Sequence, residues 1–344
     1  MSELAADHRD AESRILLFLL GGNMAAAAIR ASIPAAITSA RCPIATAIPL
    51  VGLGTYRAYN DDCYKACMTA LQCGYRLIDT AAVYRNETYV GQAIKDFLSA
   101  SSTSVSQPAI ESSASESKME SQMVTRRDLF ITSKLHPRDM QSEQRAYEAG
   151  LASIQRLGLD YVDLYLLHWP GCGGVKLESL ANREYRVAAW RGLERLQQEA
   201  KCRYIGVSNF TRTHLSDLLS VAKIRPVLNQ VEFHPLLYQQ DLLSYCHAEG
   251  VQLQAYSSIG QGSPRLLEHP VVIDIAKRLN QTPASVLFRW SLQHGVGIIP
   301  KSKTAERVRA NAHVLDFELS PEDMTSLDAL HDGTHFCWDP TRVA

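Results

Sequence analysis

The chain predicts a (β/α)8 fold: an α/β domain built as a closed parallel barrel with helices outside, preceded by an N-terminal extension. Three observations predict it. Eight short apolar runs recur at 51–56, 76–80, 129–134, 162–168, 203–208, 228–232, 252–257 and 296–300, as strands buried on both faces require. Helical patterns fill the gaps between them. The turn after the first run (Gly52, Leu53, Gly54, Thr55, Tyr56, Arg57) lacks the third glycine of G-x-G-x-x-G, which disfavours a doubly wound open sheet.

Composition sets the outer bounds. At about 150 residues per domain, 344 residues suggest two domains, yet α/β barrels fill about 250 residues as one. A content of 46% hydrophobic and 21% charged residues excludes wholesale disorder, a collagen-like repeat and a multi-span membrane protein. Thirty-five Lys and Arg against thirty-six Asp and Glu leave a net charge of −1, without the basic excess of a nucleic-acid binder. Eight cysteines are scattered with no C-x-x-C pair. Free thiols are therefore expected, and no metal site.

Two segments stand outside the alternation. Residues 1–47 form the extension, whose apolar run 15–20 ends at Gly21 and Gly22, too short for a membrane span. Four acids (Glu3, Asp7, Asp10, Glu12) precede that run, the wrong flank for a secretory signal. From Met24 onward, Arg30 and Arg41 sit among Ala, Ser and Ile with no acid before Asn60. Two readings stand: an organelle transit segment, which would make the protein mitochondrial or otherwise organellar, or an untargeted extension on a cytoplasmic protein. The second segment, 99–122, has ten Ser among twenty-four residues and no aromatic, and it reads as an inserted surface loop.

The helices follow in order. Tyr147, Leu151 and Ile154 recur at i, i+4, i+7, and Gly158 stops that helix before the fourth strand. Trp190, Leu193 and Leu196 stripe the next, and 239–249 and 283–294 supply others. In such barrels the chemistry sits where strands end. The second run ends near Asp79, with Tyr84 in the following loop. The third ends at Ser133 and Lys134, the fourth at His168 and Trp169, the fifth at Ser208 and Asn209. A carboxylate, a phenol, an ammonium and an imidazole thus share one rim. A buried ammonium beside a phenol is expected to lower the phenol's pKa, and Asp79 is expected to keep Lys134 charged. Tyr84 then reads as a proton donor to an oxygen that His168 orients. Taken singly, each has an ordinary use: a helix cap, a solvated charge, a surface aromatic, a core histidine.

At this point the chain resembles a known family. Gly74, Tyr75, Arg76, Leu77, Ile78, Asp79, Thr80 and Ala81, followed by Tyr84 and Gly91, resemble the first signature of the aldo-keto reductases. The stretch from Gly158 through Asp163 to His168, Trp169 and Pro170 resembles the second. Ile299, Pro300, Lys301 and Ser302, followed by Arg307 and Asn311, resemble the third. The resemblance spans about 48–340, without the Ser-rich insertion. It implies a barrel that reduces aldehydes or ketones with NADPH, using Asp79, Tyr84, Lys134 and His168 as the catalytic tetrad. It further implies that Ser208, Asn209 and Gln230 hold the nicotinamide carboxamide and that Tyr256 stacks on the ring. Ser257, Ile259 and Gln261 would line the pyrophosphate channel, and Lys301, Ser302, Thr304, Arg307 and Asn311 would grip the adenosine end. Tyr56, Trp169, Phe336 and Trp338 would wall the substrate pocket, in a single-chain monomer.

Charge supports NADPH independently. Lys301, Lys303 and Arg307 cluster after the eighth strand, a standard phosphate position in barrels, and a ribose 2′-phosphate needs such charge. Three departures from the family pattern stand out. Ala310 replaces a common Glu, Lys303 replaces an apolar residue, and the stretch before Ile48 lacks the usual turn that plugs the barrel bottom. The loop 171–184 is short, which suggests an open pocket. A catalytically weak NADPH-sensing subunit and a non-redox barrel for a phosphorylated sugar are the other functional readings.

Overall fold

The computed structural model describes residues 48–103 and 124–344. The extension 1–47, any transit segment in it, the stretch before Ile48 expected to lack the plug turn and the insertion beyond Thr103 lie outside the described residues.

Eight parallel strands run β1 (Leu53–Gly54), β2 (Leu77–Asp79), β3 (Phe130–Leu135), β4 (Val162–Leu167), β5 (Cys202–Ser208), β6 (Leu228–Glu232), β7 (Gln252–Tyr256) and β8 (Gly297–Ile298). Each pairs with the next in chain order. A parallel bridge between Val51 and Ile298 joins the last strand to the first. Gly52 N also donates to Ile298 O at 2.9 Å, and Gly54 N to Pro300 O at 3.2 Å. The sheet therefore closes, which removes both edges.

Strand alternation sorts the side chains. Leu77, Phe130, Leu164, Leu166 and Leu228 belong to a small apolar cluster with Ile48 and Ile299. Their alternate neighbours Ile78, Ile131, Tyr165 and Leu167 belong to the main core shared with the helices. The small cluster is the barrel interior. Counting by two from it toward the C-terminal ends reaches Asp79, Lys134, His168 and Gln230. A polar layer thus sits on an apolar plug, at the rim where barrels carry their chemistry.

The helices cover the outer face. Glu143–Leu157 starts at Ser142, whose Oγ accepts from Arg145 N at 3.2 Å, and ends at Gly158 with φ 63°. Tyr147 and Ile154 are buried on its inner face and Leu151 is half-buried. Trp190, Leu193 and Leu196 are buried on Ala181–Gln198. Helices Glu87–Thr103 and Glu143–Leu157 meet closely at Gly91, where a Cβ would lie 2.0 Å from Leu157 O. Residues 99–103, expected to open a loop, instead form the last turns of Glu87–Thr103. Ser99 and Ser101 donate their hydroxyls to Lys95 O and Phe97 O, each at 2.9 Å, a back-bond that lets serine sit in a helix.

Candidate active site

The loop after β2 carries Tyr84, at the end of a short 3-10 turn (Ala82–Tyr84). Asn86 pins that loop. Its Nδ2 donates to Thr55 O and Ala58 O, both at 2.9 Å, and its Oδ1 accepts from Thr80 Oγ1 at 2.6 Å. Lys134, fully buried on β3, donates from Nζ to Asp79 Oδ1 at 2.5 Å and Thr80 O at 3.0 Å. Its third donor reaches Tyr84 Oη at 3.4 Å. The rings of Tyr84 and His168 meet edge-on with centroids 5.6 Å apart, and Tyr56 leans on Tyr84 at 5.1 Å. The four residues expected to act together are together.

Burial dominates their titration. It raises the Asp79 carboxyl and lowers the Lys134 ammonium, while the ion pair between them opposes both shifts. His168 is held well below the usual imidazole range, first by burial and then by the charges of Lys134 and His136. It is a neutral imidazole at neutral pH. Its buried Nδ1 has no partner among the described residues.

The Tyr84 phenol departs from expectation. It is pushed well above its ordinary value, by burial first and then by Asp79, Tyr256 and Tyr56. Burial outweighs the neighbouring ammonium, whose Nζ lies 3.4 Å from Tyr84 Oη and 2.5 Å from Asp79 Oδ1. The resting group is therefore a protonated phenol, the form a proton donor requires.

The neighbouring strands add an amide network. Gln230 Nε2 donates to Asp79 Oδ2 and to Gln254 Oε1, each at 2.8 Å. Ser208 Oγ donates to Gln230 O at 2.8 Å, Asn209 Nδ2 donates to His168 O at 2.9 Å, and Tyr256 Oη donates to Asn209 Oδ1 at 2.6 Å. Ser208, Asn209, Gln230 and Tyr256 thus border the tetrad. Gln230 uses both N–H groups on the protein and keeps Oε1 as an acceptor.

The segments after β7 and β8 are more open. Lys301, Lys303, Thr304 and Arg307 are exposed and Ser302 is buried. Ser302 Oγ accepts from Thr304 N at 3.2 Å, just before helix Ala305–Ala312, whose N-terminus has no side-chain cap. The Lys301 ammonium is lowered by burial and by the like charges of Lys303 and Arg57. Crowded cations beside uncapped N–H groups suit an anion, so these residues fit a phosphate-bearing coenzyme. Lys303 meanwhile pairs with Asp62 at 3.0 Å.

Several expected residues sit otherwise. Ile259 packs its side chain on the main core, and Asn311 is half-buried on the helix Ala305–Ala312. Ser257 and Gln261 contact the C-terminal segment at Cys337. Phe336 lies over Gly260 and against His234, with ring centroids 5.1 Å apart. Trp338, expected in the pocket wall, is 74% exposed; it lies between Phe336, whose N–H donates to Glu232 Oε1, and the chain end, where the carbonyls of Val343 and Ala344 accept from His214 Nε2 and Arg186 Nη1. Tyr56 is exposed beside Tyr84, and Trp169 is half-buried.

Sequence reasoning did not mark Arg57, Glu232, Gln254 or Cys337. Gln254 carries a signal in hindsight, a polar residue at an inward position of an apolar strand. Arg57 meets Gln261 Oε1 at 3.3 Å across 204 residues, a contact that no local pattern encodes. Among the described residues no group of His, Cys, Asp and Glu is placed to hold a metal. No described helix is long and apolar enough to cross a membrane.

Comparison with known proteins identifies the family. The model of the Aldo/keto reductase family matches residues 51–332. The chain is 42% identical over 289 residues to the glyoxal reductase of Bacillus subtilis, covering 83% of this chain and 89% of that protein. It is 36% identical over 322 residues to the glycerol 2-dehydrogenase (NADP(+)) of Saccharomyces cerevisiae, covering 86% and 93%. Its structure resembles a Bombyx mori aldo-keto reductase solved in complex with NADP, at TM-score 0.71 and 30% identity over 84% of this chain and 91% of that one. A match across most of the barrel, with the rim groups assembled on it, shows that the chain belongs to the aldo/keto reductase family of oxidoreductases.

Proposed function

We propose that this protein reduces aldehydes or ketones to alcohols with NADPH, through Tyr84, Lys134, Asp79 and His168. One observation carries the reading: a phenol kept protonated by burial lies 3.4 Å from an ammonium that a buried carboxylate holds in place. Bound NADPH would supply the hydride for the carbonyl carbon. Tyr84 gives its phenolic proton to the carbonyl oxygen. The phenolate left behind is stabilised by Lys134, whose orientation Asp79 and Thr80 O fix. His168, neutral, has a ring N–H to donate to the same oxygen and so sets its direction.

Gln230 Oε1, Asn209 and Ser208 would hold the carboxamide, with Tyr256 against the ring. Ser257, Gln261 and the backbone at Ile259 would follow the diphosphate. Lys301, Ser302, Thr304, Arg307 and Asn311 would hold the adenosine end, and the surplus of cations over acids there favours a 2′-phosphate. All these groups come from one chain, so a monomer is a complete catalytic unit. The relatives named glyoxal reductase and glycerol 2-dehydrogenase (NADP(+)) make small dicarbonyls and hydroxy-ketones the first substrates to assay.

The test is NADPH oxidation over a panel of such carbonyls, with wild type and Tyr84→Phe. Turnover by wild type and a loss of about 10²–10⁴-fold in kcat for the variant are expected. Equal rates for both proteins would remove Tyr84 from the chemistry. NADPH binding without turnover across the panel would favour a coenzyme-sensing subunit.

A further inference from the structure

Resting on that coenzyme reading, we propose that Glu232 is a positioning residue for the coenzyme, fastening the C-terminal segment 335–337 against the loop that follows β7. Glu232 closes β6 in register with Tyr256, the last residue of β7. Only 3% of it is exposed. Its carboxylate gathers donors on both oxygens. Oε1 accepts from Phe336 N at 2.8 Å and from His234 Nε2 at 3.2 Å. Oε2 accepts from Cys337 N at 3.2 Å and from His335 Nδ1 at 3.3 Å. A carboxylate can only accept, so both imidazoles are donors here. Burial pushes the carboxyl up, but the bonds from His234 and Phe336 N outweigh it and hold it below the usual range. The clasp is therefore ionised, and charge-assisted bonds are the stronger kind.

What it clasps matters. The loop after β7 bends through a run of left-handed residues: Ser257 at φ 51°, Gly260 at 56°, Gln261 at 56° and Gly262 at 85°. Ser257 and Gln261 have a Cβ and are strained in that region, so the loop needs outside support. The C-terminal segment supplies it. Gln261 Nε2 donates to Phe336 O at 2.9 Å and to Cys337 Sγ at 3.1 Å, and Ser257 Oγ lies 3.2 Å from the same sulfur. The Phe336 ring lies so close over Gly260 that a Cβ there would meet it at 2.6 Å. Glu232 thus reaches the side chains read as lining the diphosphate channel through two residues of the tail. It makes no bond to Asp79, Tyr84, Lys134 or His168. Loosening it frees the coenzyme loop and leaves the proton-transfer groups in place.

The test uses the full chain with NADPH as the probe. Release of NADPH is followed by stopped-flow fluorescence, hydride transfer by single turnover, and backbone exchange of 335–337 by hydrogen–deuterium exchange without coenzyme. Glu232→Gln is expected to speed NADPH release by about fivefold or more, with hydride transfer within about twofold of wild type. Exchange at 335–337 accelerates as well. Cys337→Ala keeps the Glu232 bonds and removes only the sulfur contacts, so it tests the same link if Glu232→Gln does not fold. It is expected to shift release the same way by less. Arg342→Ala, which breaks an exposed pair with Glu178 farther along the tail, is expected to leave release unchanged. Release at the wild-type rate despite faster exchange overturns the proposal, and so does an equal loss in release and hydride transfer. No NADPH fluorescence change with wild type overturns the coenzyme reading itself, a separate result.

Discussion

The rim above β2, β3 and β4 and the start of helix Ala305–Ala312 both carry charge, and they treat it in opposite ways. At the rim the charges are sealed: Lys134 is fully buried and Asp79 is 1% exposed, with the ammonium 2.5 Å from the carboxylate. At the helix start Lys301, Lys303 and Arg307 are exposed; Lys303 pairs with Asp62, and partial burial and then the like charges of Lys303 and Arg57 lower the Lys301 ammonium. The difference fits the tasks proposed for the two regions. Proton transfer needs groups already oriented before the reaction, in a place where water does not screen them. Capture of a soluble anion needs cations that are available when it arrives, at a modest cost of desolvation.

The sharpest way to break this comparison is Lys134→Met. If the rim charges work only as a sealed pair, removing one leaves Asp79 buried without its partner, and stability is expected to fall by about 3–5 kcal/mol. The thermal midpoint measures this, and kcat is expected to drop with it by about 10²–10⁴-fold. Pairing Lys134→Met with Asp79→Asn is expected to recover stability and leave activity lost. A single variant as stable as wild type would show that the pair is not sealed.

A smaller effect is expected at the open region. Arg307→Ala is expected to raise the KM for NADPH on the order of tenfold with kcat unchanged, and added salt is expected to weaken wild-type coenzyme binding in the same pattern. A fall in kcat of comparable size would mean that the two regions are not separable.

The smallest effect concerns pH. His168 in the folded chain has its pKa depressed well below 6.5, whereas the unfolded chain binds a proton near 6.5. Between those values the unfolded state holds more protons, so stability is fully present above about pH 6.5 and declines as pH falls through it. The rate of reduction is expected to stay level across that point, because the imidazole is neutral on both sides. A limb in kcat near 6.5 would place His168 in water.

Much of the fold was legible because a barrel strand writes itself locally. The apolar runs, the stop at Gly158 and the polar residue closing each run depend on neighbours in sequence. The proposed tetrad was legible because Asp79, Lys134 and His168 stand at or near the ends of their runs, with Tyr84 in the next loop, and because the surrounding motifs resemble the family's. Other features depend on partners far along the chain. The direction of the Tyr84 shift turned on burial and then on the Asp79 carboxylate, which the fold brings to the phenol. The support of Ser257 and Gln261 by Cys337 spans 80 and 76 residues. Residues 99–103 were misread because composition there favours a loop, while the helix begun at Glu87 carries on through them.

By itself, then, the sequence determined the barrel, the order of its strands and the four groups at its rim, because periodicity and strand ends are local properties of the chain. Only the tertiary structure decided which charges are sealed, which are open and which loop the C-terminal segment holds. Burial and pairing are set by what folds against a residue, and a one-dimensional pattern does not contain that information.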